Sequence, residues 1–216
     1  MREASVSQNS ALWAIIPVKP LRRAKSRLAR ALKANQRAAL ARSMLARTLD
    51  TLASVERIGG IVVVSRDLTA HDIARAKNAV PLAETESGLN AAVSQACEWV
   101  AAQGASTALI VPTDLPLFTM FDIEAMIDLA TEPACVVIAP DRHDEGTNAL
   151  LLRPPLAIRA AFGASSFRTH YSRAVEASLP VCVFRSPTIA LDLDVPADLD
   201  RYREMSALLD AISLYE

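Results

Sequence analysis

Three aspartates occupy positions in the sequence where carboxylates could hold a metal ion. Asp114 follows an apolar run that ends at Pro112, and Asp192 and Asp194 lie two residues apart in the segment LDLD. In extended backbone, residues two apart point to the same side, so these two carboxylates would share one face. They repel each other there unless a cation or hydrogen-bond donors lie between them. Such oxygen ligands suit Mg2+, which takes a few carboxylates and completes its shell with water and phosphate oxygens.

Each of these aspartates also has a structural interpretation. Asp114 stands between prolines, a setting typical of a turn, and Asp194 could cap the helix that begins at Pro196. Asp198 and Asp200 follow in the same stretch. We assign both to the start of that helix, where a carboxylate is favoured by the helix dipole.

A run of basic side chains offers complementary charge. Nine Lys or Arg residues and no Asp or Glu lie between Arg22 and Leu49. Lys19 and Lys25 belong to the loop that follows the first apolar run. The run is either a cradle for polyphosphate or a solvated helix face. Because the loop has no glycine, it would supply cations and not the backbone amides of a P-loop.

Two later segments could bind a second anion. FGASSFRTH places Gly163 and Ser166 at a predicted helix N-terminus, where phosphate and carboxylate bind well. EGTN places Thr147 ahead of an apolar run. An ordinary serine cap and an ordinary loop turn are the alternatives. His143 and His170 could act as acids or bases, but single histidines are more often structural, and nothing indicates a nucleophilic Ser or Cys.

Apolar runs alternate with helical spacing through most of the chain. Buried strands are predicted at 12–18, 61–65, around Val80, and at 107–112, 135–140, 148–152 and 181–184. Helices are predicted over 36–54, 67–77, 90–102, from Thr119 or Asp122 to Ala130, from Ser165 or Ser166 onward, and from Pro196 to the C-terminus. This alternation predicts a single-domain, three-layer α/β fold of Rossmann-like type with a mainly parallel (mixed) sheet. Ligands of such sheets bind at the carboxyl ends of the strands, where the segments above fall.

The composition excludes several classes of protein. Half of the 216 residues are hydrophobic and the formal net charge is −1, so we predict a globular core and neither nucleic acid nor membrane as a partner. No apolar run approaches the roughly 18 residues of a membrane span. The polar start lacks a signal peptide's apolar region, and the three cysteines lack CxxC spacing. We therefore predict a cytoplasmic protein with a poorly ordered tail over 1–11 and one domain over 12–216.

Five segments in this order resemble one enzyme family, the 2-phospho-L-lactate or phosphoenolpyruvate guanylyltransferases of coenzyme F-420 biosynthesis. They are IIPVKPLRRAKSRL, PTDLP, DEGTNALLL, FGASSFRTH and LDLDVPADL. The resemblance covers nearly the whole chain, although PVKPLRR departs from relatives in its second proline and extra arginines. It implies a nucleotidyltransferase fold, GTP as co-substrate and Mg2+ as cofactor. The implied reaction transfers GMP to a small phosphorylated three-carbon acid and releases pyrophosphate.

The resemblance also assigns roles to individual residues. The magnesium ligands would be Asp114, Asp192 and Asp194. The catalytic residues would be Asp114 and Lys25. The GTP contacts would be made by Lys19, Lys25 and Asn90. The acid would be bound by Thr147, Gly163 and Ser166.

Two other functions stay open. A nucleotidyltransferase of molybdenum-cofactor or nucleotide-sugar type usually opens with a Gly-rich LAGGxS loop, where this chain has IIPVKP. A non-catalytic module on the same fold would bind nucleotide without turnover. The sequence leaves the acid open between phosphoenolpyruvate, which we place first, 2-phospho-L-lactate and 3-phosphoglycerate. It also leaves open whether the chain forms a homodimer.

Overall fold

The computed structural model describes residues 12–213. The tail predicted over 1–11 lies outside the described residues, as do the last three residues. The strands are β1 (Leu12–Pro17), β2 (Ile58–Ser65), β3 (Val80–Ala83), β4 (Thr107–Ile110), β5 (Cys135–Pro140), β6 (Thr147–Arg153) and β7 (Val181–Val183). The helices are α1 (Ala34–Ala53), α2 (Leu68–Ala76), α3 (Leu89–Ala102), α4 (Met120–Leu129), α5 (Ser166–Glu176), α6 (Pro187–Ala190) and α7 (Pro196–Ser213).

The seven strands form one sheet in the order β3-β2-β1-β4-β6-β5-β7. β1 pairs parallel with β2 and β4, β2 with β3, and β5 with β7. β6 runs antiparallel to both of its neighbours, β4 and β5. The mainly parallel, mixed sheet predicted from the sequence is confirmed. Because β6 is reversed, its first residues lie at the edge where the other strands end.

Helices cover both faces of this sheet. Successive residues of a strand point to opposite faces, and Ile15 and Ile16 accordingly belong to different core clusters. One cluster joins Ile16 to Leu45 of α1 and Met126 of α4. The other joins Ile15 to Val93 of α3 and residues near α5. These three layers are the predicted architecture. No helix within residues 12–213 is long and apolar enough to cross a membrane.

The structure corrects two boundaries and adds two features that the sequence did not predict. α1 begins at Ala34 and not at residue 36, and the loop after β1 contains two 3-10 turns, Leu21–Arg23 and Ser26–Arg30. The short α6 was not predicted, because four residues carry no helical periodicity. β2 begins at Ile58, so Gly59 and Gly60 lie inside a strand. Position 60 requires a glycine because the Trp13 ring lies directly over it and leaves no room for a side chain.

A side chain at Gly60 should destabilise the fold. A Cβ there would lie 2.7 Å from the ring of Trp13, which itself packs edge-on against Trp99 at 5.3 Å. We expect Gly60→Ala to lower the free energy of unfolding by about 1–3 kcal/mol, measured by urea denaturation. Combined with Trp13→Leu, the same change should cost less than the sum of the single changes. Additive losses would mean that the ring is not the obstacle.

Candidate active site

The three aspartates meet at the carboxyl end of the sheet. Asp114 lies in the turn after β4, and its carbonyl oxygen accepts a 2.9 Å hydrogen bond from the Leu193 backbone N–H. Leu191 and Leu193 are buried, so the alternating residues Asp192 and Asp194 face the other way. All three carboxylates line a cleft of about 440 Å³. The fold thus brings together the residues that the sequence grouped.

Lys25 lies between two of these carboxylates. Its Nζ is 3.4 Å from Asp114 Oδ2 and 3.7 Å from Asp194 Oδ1, and its side chain is only 8% exposed. Arg27 also donates to Asp194, at 3.1 Å, from an exposed position. Lys25 has left-handed backbone, with φ of 56°. Such a conformation is costly for a lysine and is often found at functional sites.

Asp192 forms no ion pair in the described part of the chain, and its carboxylate is bonded only to its own backbone N–H. Burial, followed by the nearby charges of Asp114 and Asp194, raises its pKa to about 6. This surplus of negative charge is what a divalent cation would relieve. Residues 12–213 contain no ready-made group of three or more His, Cys, Asp or Glu side chains placed for a metal. The donors suit a Mg2+ ion that brings phosphate and water oxygens with it, and magnesium stays a prediction.

Asp198 holds the backbone of the segment that carries Asp192 and Asp194. Its Oδ2 accepts backbone hydrogen bonds from Asp194 at 2.8 Å and Val195 at 2.7 Å, and its Oδ1 pairs with Arg142 at 2.8 Å. Burial would raise the pKa of Asp198, but these contacts outweigh it and lower the pKa. Asp198 is therefore structural, as predicted. The capping alternative for Asp194 is wrong, because its carboxylate pairs with Lys25 and Arg27, and the Asp198 N–H in the first turn of α7 bonds to the Val195 carbonyl oxygen.

The predicted basic run divides among three environments. Lys25 and Arg27 reach the carboxylates. Arg47 is structural, since it donates to the carbonyl oxygens of Pro116 at 2.6 Å and Phe118 at 3.0 Å. Arg42 is exposed on α1, as the solvated-face alternative expected, and Arg22, Arg30 and Lys33 are exposed in the loop before it. The basic run is thus neither wholly a polyphosphate-binding cradle nor wholly a solvated helix face.

Thr147 and the segment before α5 form the opposite wall of the cleft. Thr147, Gly163 and Ser166 line it together with the three aspartates. Ser165 occupies the N-cap position of α5, but its side chain makes no capping hydrogen bond, so the ordinary serine cap is not realised. The N–H groups of Ser166 and Phe167 are bonded to Gly163 and Glu145 carbonyl oxygens. The bond between Phe167 and Glu145 ties the two wall segments to each other.

Two polar side chains that sequence patterns did not assign to this wall hold it in place. Asp141 accepts backbone hydrogen bonds from His143, Glu145 and Gly146 and so closes the turn before β6. Its position early in an Asp-rich turn was the available signal. Buried His170 has its Nδ1 2.9 Å from Thr147 Oγ1. Burial, and then the charge of Arg173, lowers the pKa of His170 to about 4.

Asn90 contacts this wall directly. Its side-chain amide donates to the Phe162 carbonyl at 3.0 Å and accepts from the Phe162 N–H at 2.7 Å. The amide therefore holds the residue just before Gly163, whose φ of 136° favours glycine. The predicted contact of Asn90 with GTP stays a prediction.

Lys19 lies at the other end of the cleft. It lines a cavity of about 130 Å³ together with Lys25, Asp114 and Asp194. It also lines a neighbouring cavity of about 260 Å³ at the start of α3, next to Ser87 and Gly88. The three cavities share lining residues and so adjoin one another along the sheet edge, and we treat them together as one cleft. We call the part around Lys19 the β1 lobe and the part around Thr147 the β6 lobe; the aspartates lie between them.

A family model described as guanylyl transferase CofC like matches residues 12–203. The chain belongs to this guanylyl transferase family. It is 41% identical over 192 residues to a phosphoenolpyruvate guanylyltransferase of Rubrobacter xylanophilus, covering 88% of this chain and 92% of the relative. It is 34% identical to a 3-phospho-D-glycerate guanylyltransferase of Colwellia psychrerythraea, covering 91% of each.

Solved structures of low sequence identity share the fold of this chain. A putative nucleotide-diphospho-sugar transferase from Desulfovibrio desulfuricans G20 superposes with a TM-score of 0.71 at 17% identity, covering 87% of this chain and 84% of the other. A 4-diphosphocytidyl-2C-methyl-D-erythritol synthase from Anaerococcus prevotii gives a TM-score of 0.60 at 13% identity, covering 88% and 95%. The Rossmann-like nucleotidyltransferase fold is therefore confirmed.

Replacing Asp192 by Asn should stabilise the ligand-free protein. The folded state raises the pKa of this carboxyl from 3.8 to about 6, so its unfavourable contribution grows as the pH rises through that window and is complete above it. After allowance for solvent screening, we expect the free energy of unfolding at pH 8 to increase by about 1 kcal/mol. Urea unfolding without divalent cations measures this, and the gain should be much smaller at pH 4.

Asp200→Asn is the matched control. Its carboxylate is 72% exposed and pairs with Arg203 one turn along α7, so the change should stay within about 0.5 kcal/mol. If Asp192→Asn destabilised the protein at pH 8, Asp192 would have a structural role.

Proposed function

We propose that the chain is a magnesium-dependent guanylyltransferase that transfers GMP from GTP to phosphoenolpyruvate and releases pyrophosphate, in coenzyme F-420 biosynthesis. The observation that carries the proposal is the single cleft with two lobes and a carboxylate–lysine centre between them. Several relatives that this chain matches over most of its length are named phosphoenolpyruvate guanylyltransferases. GTP would lie in the β1 lobe and the acid in the β6 lobe.

The reaction needs no strong general base. A phosphate oxygen of the acid is already anionic; it would form a new bond to the α-phosphorus of GTP while the bond to the leaving pyrophosphate breaks. The site must instead hold two anions close together and stabilise charge on the leaving group. The lack of a Ser–His constellation in the sequence is consistent with this chemistry.

The residues of the cleft divide this work. Lys19 and Lys25 would neutralise triphosphate oxygens, and Lys25 is already held at the centre by two carboxylates. Asp114, Asp192 and Asp194 would hold magnesium, which when bound neutralises triphosphate charge. The β6-lobe residues would orient the phosphorylated acid by hydrogen bonds: Thr147, Gly163 and Ser166.

A second acid has a specific observation in its favour. The relative from Colwellia psychrerythraea, which this chain matches over 91% of its length, is named for 3-phospho-D-glycerate. The candidate acids differ by a methylene, a methyl or hydroxyls, and such differences are read by pocket shape and hydrogen bonding. Only turnover measurements separate them.

Pyrophosphate release identifies the reaction. The protein is incubated with magnesium, GTP and one acid at a time: phosphoenolpyruvate, 2-phospho-L-lactate or 3-phosphoglycerate. We expect the highest kcat/KM with phosphoenolpyruvate, and lower rates when CTP, UTP or ATP replaces GTP. Preference for CTP or UTP with a sugar phosphate would favour the nucleotide-sugar alternative. GTP binding without pyrophosphate release with any acid would contradict the proposal and favour a non-catalytic module.

Asp114→Asn should abolish activity without unfolding the protein. The Asp114 carboxylate contacts Lys25 but makes no hydrogen bond to the backbone of residues 12–213, so we expect kcat to fall about 100-fold or more with a nearly unchanged melting temperature. Steady-state kinetics and thermal unfolding are measured on the same samples, with Asp200→Asn as the active control. A large drop in melting temperature would instead support a structural role for Asp114.

A further inference from the structure

The hydrogen bonds of His170 determine which ring nitrogen carries its proton. The backbone N–H of Ala161 donates to His170 Nε2 at 2.8 Å, so Nε2 must be an unprotonated acceptor. A neutral imidazole carries one N–H, which therefore resides on Nδ1. A doubly protonated ring would direct two N–H groups at each other. The depressed pKa of this fully buried histidine agrees with a neutral ring.

The tautomer has a consequence for Thr147. His170 Nδ1 is 2.9 Å from Thr147 Oγ1, and the N–H on Nδ1 makes that hydroxyl oxygen the acceptor. The hydroxyl proton of Thr147 must then be donated elsewhere. No acceptor for it occurs among residues 12–213, although Thr147 is 93% buried and lines the cleft. A buried donor without an acceptor carries a free-energy cost that a bound ligand would remove.

We propose that His170 is a positioning residue that makes the Thr147 hydroxyl an obligatory hydrogen-bond donor to an anionic oxygen of the substrate acid. The inference rests on the proposed function, since it places the phosphorylated acid in the β6 lobe. A free hydroxyl can donate or accept; here the acceptor role is already taken. An anionic carboxylate or phosphate oxygen, which can only accept a hydrogen bond, fits this position. A ligand group that must donate a hydrogen bond, such as an ammonium group, does not fit.

Nitrogen-15 NMR of the wild-type protein tests the tautomer without turnover. The chain has three histidines, and His170→Asn identifies one set of ring signals by its loss. We expect an unprotonated Nε2 and a protonated Nδ1 for His170. His71 is an internal control of the opposite kind, because its Nε2 lies 2.9 Å from the Ser65 carbonyl oxygen and must be protonated. A His170 ring protonated on Nε2 would overturn the inference.

Steady-state kinetics test the donor role. Thr147→Val keeps the shape but removes the hydroxyl, so we expect the KM for the acid to rise about 10-fold or more with the KM for GTP unchanged. Thr147→Ser retains the donor, so its KM for the acid should rise less than that of Thr147→Val. If Thr147→Val matched wild type in its KM for the acid, the inference would fail.

A double-mutant cycle separates positioning from simple support of the fold. His170→Phe should raise the KM for the acid in the wild-type background, and His170→Asn, which can still donate near the Nδ1 position, should restore part of the loss. In the Thr147→Val background, His170→Phe should have little further effect. An equal effect in both backgrounds would mean that His170 supports the wall in general.

The possible failures are distinguishable. A wild-type protein that releases no pyrophosphate with any acid contradicts the proposed function, whatever the NMR result. A wild-type protein that turns over normally, but whose KM for the acid does not respond to loss of the Thr147 hydroxyl, contradicts this inference alone.

Discussion

The site depends on keeping negative charges together that repel one another. Three aspartates converge at one edge of the sheet, and the proposed reaction would bring two further anions to them. Ion pairs alone do not hold this arrangement in the absence of ligands, because Lys25 and Arg27 pair with Asp114 and Asp194, and no cation among residues 12–213 pairs with Asp192. The backbone holds it instead. The Leu193 N–H bonds the Asp114 carbonyl, the buried Leu191 and Leu193 fix the alternation, and Asp198 binds the next two N–H groups.

The reversed strand β6 makes the two lobes parts of one cleft. In an all-parallel sheet, the start of a strand lies at the edge opposite to the ends of its neighbours. Because β6 runs against β4 and β5, Thr147 at its start lies beside the carboxyl end of β4, which leads to Asp114. Asp141 closes the turn that makes this reversal, and Phe167 links it to α5. A single change of strand direction therefore brings an anion-binding wall to face the carboxylates.

The sequence predicted periodic features well and long-range partners poorly. The spacing of Asp192 and Asp194 placed both carboxylates on one side, as the structure confirms. The succession of strands and helices along the chain followed from the alternating apolar runs, whereas the order of the strands in the sheet was not predicted. The position of Lys25 could not be predicted, because it depends on left-handed backbone between two 3-10 turns. His170 stayed unassigned for a similar reason: its partner Thr147 lies 23 residues away, and only the packing of α5 on the sheet brings them together.

The two lobes handle anions by different physical means, and the difference suits the proposed chemistry. Around the centre and the β1 lobe, the ammonium groups of Lys19 and Lys25 attract a polyphosphate strongly but with little directional preference. In the β6 lobe the donor is a neutral hydroxyl oriented by a neutral histidine. Lysines in both lobes would let a triphosphate bind in either. An oriented dipole adds no net charge and favours a small anion only when its oxygen lies in the correct place, so it discriminates by geometry where a cation could not.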